Sequence, residues 1–175
     1  MLRGVALCAG LALLAVVGVG CGQDPPLAVA SKVDLSRFQG QWFEIAKLPR
    51  ITQTDCFETT AFYSLASDGT LDLVNECHVG SAGGPLKTVT MTAKVPDPSA
   101  PAKLALDVGG FYGDYWILEI GSDYEYAVVG HPSRSYLWIL GRTPTLDQAT
   151  LQGILSRAQG EGFDTSRLEY TPQTP

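Results

Sequence analysis

From Gly40 to Arg142 the chain is a series of short runs in which apolar and polar residues alternate, each run closed by turn-forming residues. In Thr88-Val89-Thr90-Met91-Thr92-Ala93-Lys94-Val95 and in Lys103-Leu104-Ala105-Leu106-Asp107-Val108 the period is two, the spacing that sends successive side chains to opposite faces of a β-strand. Eight such runs are predicted as strands, at residues 41–48, 57–65, 70–78, 87–95, 103–108, 114–120, 124–130 and 135–142. The connections Ser67-Asp68-Gly69, Gly121-Ser122-Asp123 and Pro132-Ser133-Arg134 are short enough to force neighbouring strands into hairpins. Antiparallel strands in sequence order lose their exposed edges most simply by closing on themselves. The expected fold is therefore all-β, an eight-stranded antiparallel up-and-down barrel.

One segment breaks the pattern. At residues 145–160, Thr145 and Gln148 stand at capping-box spacing after Pro144, and Leu151, Ile154, Leu155 and Ala158 recur at helical spacing before Gly160 and Gly162. A helix with one apolar stripe must bury it, so a C-terminal α-helix is expected outside the barrel. Arg167–Thr171 is a candidate for a last short strand.

The N-terminus is of another kind. Residues 1–20 hold one charge, Arg3, then an apolar run from Gly4 to Gly20 that is short for a membrane span and has the basic start and small-residue end of a secretory signal. Val17-Gly18-Val19-Gly20-Cys21 resembles the lipobox of bacterial lipoproteins, which implies a diacylated Cys21 as the mature N-terminus. A plain cleaved signal with an incidental Cys21 is the other reading. Residues 21–32 are expected to form the lipidated cysteine and a semi-extended tether, leaving one domain at residues 33–171. Removing residues 1–20 takes away only Arg3, so the net charge of −6 becomes −7, with no basic block. Nucleic acid is not the expected partner, nor is an anionic membrane bound through charge. Membrane attachment then has to come from lipid on Cys21. By analogy with Gram-negative lipoproteins, Gly22 in place of Asp implies delivery to the periplasmic face of the outer membrane.

Cys56 and Cys77 remain in an exported chain, where pairing is the default. A simple turn at Ser67-Asp68-Gly69 sets Thr60, not Cys56, opposite Cys77, so a disulfide requires a bulge or a bend of the strand end. Two free buried thiols are the alternative.

Three blocks carry a family resemblance: Gly40-Gln41-Trp42 after Asp34-Leu35-Ser36-Arg37-Phe38, the turn Ser122-Asp123-Tyr124, and Arg142 closing Tyr136-Leu137-Trp138-Ile139-Leu140-Gly141. In this order and at these strand positions they resemble the lipocalins, and over residues 33–170 the chain resembles the bacterial outer-membrane lipoprotein group related to apolipoprotein D. The resemblance implies that Trp42 plugs the narrow end of the barrel, or calyx, with Arg142 lying across it, and that Gly40, Asp123 and Tyr124 complete the motif. These roles are structural.

The resemblance also implies a small hydrophobic ligand. Taking the apolar parity of each strand as inward gives Val89, Met91, Leu104, Leu106, Trp116 and Leu118 as candidate lining, with Phe111 and Tyr112 as an aromatic gate among three glycines. A filled core is the alternative to a cavity. Arg50, Lys87, His131 and Arg134 fall near the mouth, where they are either headgroup ligands or solvated charges. The expected function is a tethered carrier of a fatty acid or lysophospholipid, with its acyl chain inside and its headgroup at the mouth; a homodimer is left open. The rivals are a lipid-modifying enzyme using a cysteine thiol and an interaction protein with a filled barrel. Only two histidines are available, and the sequence has no Gly-x-Ser-x-Gly elbow, His-Glu-x-x-His or Cys-x-x-Cys spacing, so no catalytic residue, metal site or cofactor is expected.

Overall fold

The computed structural model describes residues 25–174; the predicted signal and Cys21 lie outside them. A single turn of helix, α1 (Leu35–Phe38), leads into β1 (Gly40–Lys47), β2 (Cys56–Leu65), β3 (Leu71–Val79), β4 (Leu86–Lys94), β5 (Lys103–Asp107), β6 (Tyr112–Ile120), β7 (Tyr126–Gly130) and β8 (Leu137–Gly141). Each strand pairs antiparallel with the next, and β1 pairs with both β2 and β8, so the eight strands close. The alternation and the short hairpin turns explain this order, and closure leaves no long edge unpaired.

Helix α2 (Gln148–Gly160) packs on the outer wall, and a two-residue β9 (Glu169–Tyr170) pairs with Ala46 and Lys47 of β1. The N-cap of α2 is Asp147, whose carboxylate accepts from the Thr150 N–H at 2.9 Å, and not Thr145 as the capping-box spacing suggested. An aspartate next to the first helical residue satisfies an orphan donor directly, so the longer spacing is not used.

Two apolar cores result. Inside the barrel, Phe38, Trp42, Tyr63, Leu71, Leu73, Leu104 and Ile117 fill the half nearest the start of β1. Outside, Ile45, Ala46, Leu137, Ile139 and Phe163 pack with Ile154 and Ala158 of α2. The expected spacer before residue 33 is in part docked: Leu27 is buried in the outer core, and the Ala30 N–H donates to Ile117 O at 3.0 Å.

Candidate ligand-binding site

Packed side chains close one end of the barrel, and the other end is open. At the closed end Trp42 is fully buried, and its Nε1 donates to Phe38 O at 2.8 Å. The Arg142 guanidinium lies 3.7 Å from the Trp42 ring centroid and donates to Gln41 O at 2.8 Å, Arg37 O at 2.7 Å and Tyr124 O at 3.3 Å. One cation thus ties α1, β1 and the β6–β7 turn together across an indole face. Gly40 has φ +88°, a left-handed conformation in which a side chain is strained. Tyr124, at φ +61° in its turn, places its hydroxyl 2.7 Å from the Asp34 N–H that donates to it. Asp123 is exposed, and its own N–H donates to Glu125 Oε2.

At the open end the barrel holds a cavity of about 310 Å³, within the range of small-molecule sites. Val89, Met91, Val108, Thr59, Asn75 and Arg50 are among its walls. A deeper lobe of about 70 Å³ shares Arg50, Thr59, Asn75, Met91 and Val108 with it and adds Glu44, Leu106, Tyr115 and Trp138. Larger grooves of about 570 Å³ beside residues 30–37 and about 540 Å³ beside α2 lie outside the barrel, where docked segments meet the wall. The interior cavity is the candidate site because strands enclose it.

Of the expected lining, Val89, Met91 and Leu106 face this cavity. Leu104 faces inward but is packed in the closed-end core. Trp116 and Leu118 face outward, against the layer that α2 covers. Their parity misleads because the outer wall of β6 is also apolar, so Tyr115 and Ile117 are the inward pair. A bulge between Ile117 and Glu119 then returns Ile120 to the inner side. Phe111 and Tyr112 line no part of the cavity: Phe111 is 79% exposed, and the Tyr112 ring lies outside beneath the Lys94 ammonium, 3.7 Å from its centroid.

Cys56 and Cys77 are joined, with Cα atoms 5.4 Å apart. A bulge lets Glu58 and Thr59 together oppose Cys77, with Phe57 opposite His78 and Thr60 opposite Glu76; this brings Cys56 within diagonal reach. The bond removes the free thiol that the enzymatic reading needs.

The sequence allows Glu44 a place near the cavity but makes a surface or rim position the safer reading; the structure puts it inside. Glu44 is 3% exposed; Gln53 donates to one carboxylate oxygen at 2.6 Å and Thr171 to the other at 2.5 Å. Burial raises its pKa, against those hydrogen bonds and the more distant charges of Lys47 and Arg50. Thr171 comes from the chain after β9, which fills the split where β1 and β2 diverge: Gln173 Nε2 donates to Glu44 O and Thr59 O, and the Glu58 N–H donates to Pro172 O. Nearby, the Thr59 hydroxyl is buried and has no hydrogen-bond partner among the described residues. The Arg50 guanidinium rests 4.9 Å from the Trp138 centroid and 5.1 Å from that of Tyr136, with no carboxylate in salt-bridge range among the described residues. Deeper still, the buried Tyr63 and Tyr115 hydroxyls share a 2.5 Å hydrogen bond, and burial pushes the Tyr115 pKa up to about 12.

A closed antiparallel barrel with an apolar cavity at one end and an Arg-capped Trp plug at the other defines a calyx-type binding protein. Residues 33–173 match the family model for a lipocalin-like domain, and the chain belongs to the lipocalin family. It is 36% identical to temperature-induced lipocalin-1 of Arabidopsis thaliana, over 85% of this chain and 83% of that one. It is 34% identical to the outer membrane lipoprotein Blc of Escherichia coli K12, over 93% of each. Among solved structures, insecticyanin of the tobacco hornworm Manduca sexta superposes with a TM-score of 0.66 at 22% identity, covering 87% of both chains.

Proposed function

We propose that this lipocalin is a membrane-tethered carrier that stores or transports a fatty acid or lysophospholipid in the cell envelope, anchored through lipid on Cys21. The observation that carries the ligand class is the pairing, in one cavity, of an apolar wall of Val89, Met91, Leu106 and Val108 with an arginine, Arg50, that has no acidic partner in range among the described residues. An acyl chain satisfies the first and a carboxylate or phosphate the second. Burying about 12 methylenes at ~0.8 kcal/mol each gives close to 10 kcal/mol before ordering costs, enough for micromolar binding. The Thr59 hydroxyl adds a donor for a carbonyl or ester oxygen. The resemblance to Blc, an outer membrane lipoprotein, supports the envelope location.

Native mass spectrometry of residues 22–175 purified from periplasm, with extraction and identification of bound small molecules, tests the reading. A fatty acid or lysophospholipid bound one to one is the expected result. A protein that arrives empty and rejects both classes when they are added would leave the cavity without its assigned ligand.

A further inference from the structure

The N-terminal segment leaves the barrel beside its mouth. Odd-numbered strands β1 to β7 run from the closed end to the open end, so the β7–β8 connection, residues 131–136, lies at the mouth together with residues 48–55, 80–85 and 108–111. Arg134 in that connection donates to Pro25 O at 2.5 Å, Pro132 O at 2.6 Å and Glu161 O at 3.1 Å. From Pro25 the chain runs down the outer wall past Leu27 and Ala30, and reaches the closed end at Asp34, where its N–H meets the Tyr124 hydroxyl. Cys21 is four residues before Pro25, and four fully extended residues span about 14 Å. A lipid on Cys21 therefore emerges near the mouth, far from the Trp42 plug.

The two ends also differ in surface chemistry. At the mouth, Ile51 is 95% exposed, Leu86 58% and Phe111 79%, each from a different interstrand connection or its flank. The closed-end connections at residues 66–70, 96–102 and 121–125 carry Asp68, Asp97, Asp123 and Glu125 and, among the described residues, no exposed large apolar side chain. An anionic bilayer repels the second surface, and its interface accepts the first.

We infer that the open end of the barrel rests on the phospholipid surface, with Ile51, Leu86 and Phe111 seated in the interface beside the Cys21 lipid, so that the cavity opens onto the leaflet. The inference rests on the lipid-anchored carrier reading and adds its direction: an acyl chain passes between leaflet and calyx without crossing bulk water.

The test uses the full lipidated chain, purified from membranes and reconstituted into phosphatidylethanolamine/phosphatidylglycerol vesicles. Single cysteines Ile51→Cys and Phe111→Cys at the mouth, and Asp68→Cys and Ser122→Cys at the closed end, are each introduced beside the intact Cys56–Cys77 bond. Labelling by a bulky, membrane-impermeant maleimide is then timed before and after detergent. Burial of one such apolar position opposes labelling by about tenfold or more, so the mouth cysteines are expected to react that much more slowly in vesicles and to recover in detergent. The closed-end cysteines are expected to react equally in both. Equal rates at both ends, or protection of the closed end, would overturn the orientation. A chain that does not float with the vesicles would overturn it too, by removing the anchor. Neither result touches ligand binding, which is read separately on the soluble chain.

Discussion

At the residue scale, single polar groups in an apolar frame decide more than their number suggests. Arg142 joins three carbonyls from separate segments and covers the Trp42 face, a geometry that depends on a planar fork of donors. Arg142→Lys keeps the charge but cannot span the three acceptors, and should cost about 2 kcal/mol in chemical denaturation; a cost near zero would mean that the charge alone suffices. Glu44 is the opposite case, an acid held in a site that disfavours its charge. Because burial raises its folded-state pKa, its stabilising contribution is fully present below the ordinary carboxylate value and is lost as pH rises through the raised one. Glu44→Gln removes that loss, so the variant should gain stability relative to the parent as pH rises from the ordinary carboxylate range, about pH 4, upward. Thermal melts across that range check it, and a difference between the two proteins that does not change with pH would contradict the assignment. Period two from Trp42 puts Glu44 on the inner face of β1, against what its charge suggests. It is tolerated there because Gln53, from the loop that follows β1, and Thr171, from the far end of the chain, supply its hydrogen bonds.

At the element scale, period two shows that a segment is a strand but not which of its faces lies inside. Along β4 and β5 one face is polar, and Val89, Met91, Leu104 and Leu106 lie on the other, inner face. Along β6 both faces are apolar, because α2 and the docked N-terminal segment cover the outside, so apolar parity does not show that Trp116 and Leu118 face outward. Bulges add a second source of error: those at Glu58–Thr59 and between Ile117 and Glu119 each shift the register in a way that no local residue choice announces. The first also makes the Cys56–Cys77 bridge reachable. That bridge spans 21 residues, and replacing both cysteines by alanine should cost about 3 kcal/mol through the freer unfolded chain, measured by urea unfolding. Helix α2 makes a separable contribution. Ile154 is fully buried between it and the barrel wall, so Ile154→Ala should cost about 3 kcal/mol while leaving lipid affinity unchanged, since the calyx lies on the other side of that wall. A loss of affinity equal to the loss of stability would show the two faces to be coupled.

At the scale of the whole molecule the barrel is two unlike halves on one set of strands. The closed half is a packed core in which Phe38, Trp42, Tyr63, Leu71 and Leu73 are almost fully buried. The open half trades such packing for a cavity and is bounded by the Cys56–Cys77 bridge and the strap after β9. Strand order was legible in the alternation and short turns, closure followed from the need to remove exposed edges, and the Trp42–Arg142 plug was implied by the family resemblance alone. The strap was not legible, because Thr171, Pro172 and Gln173 have no periodicity and act only where β1 and β2 part. Packing density sets local stability, so amides of the closed half should exchange only on global unfolding, and those of residues 49–60, 75–92 and 106–113 through smaller openings. On the carrier reading proposed above, an added fatty acid fills the cavity and binds only the folded state, which slows exchange most where the small openings dominate. Hydrogen exchange with and without oleate should therefore show protection concentrated in those three segments, with amides of β7 and the 62–73 hairpin slowed only by the common global increment. Uniform slowing along the chain would mean that the ligand stabilises the fold without occupying the open half, and protection confined to residues 30–37 and 118–124 would move the ligand to the outer groove.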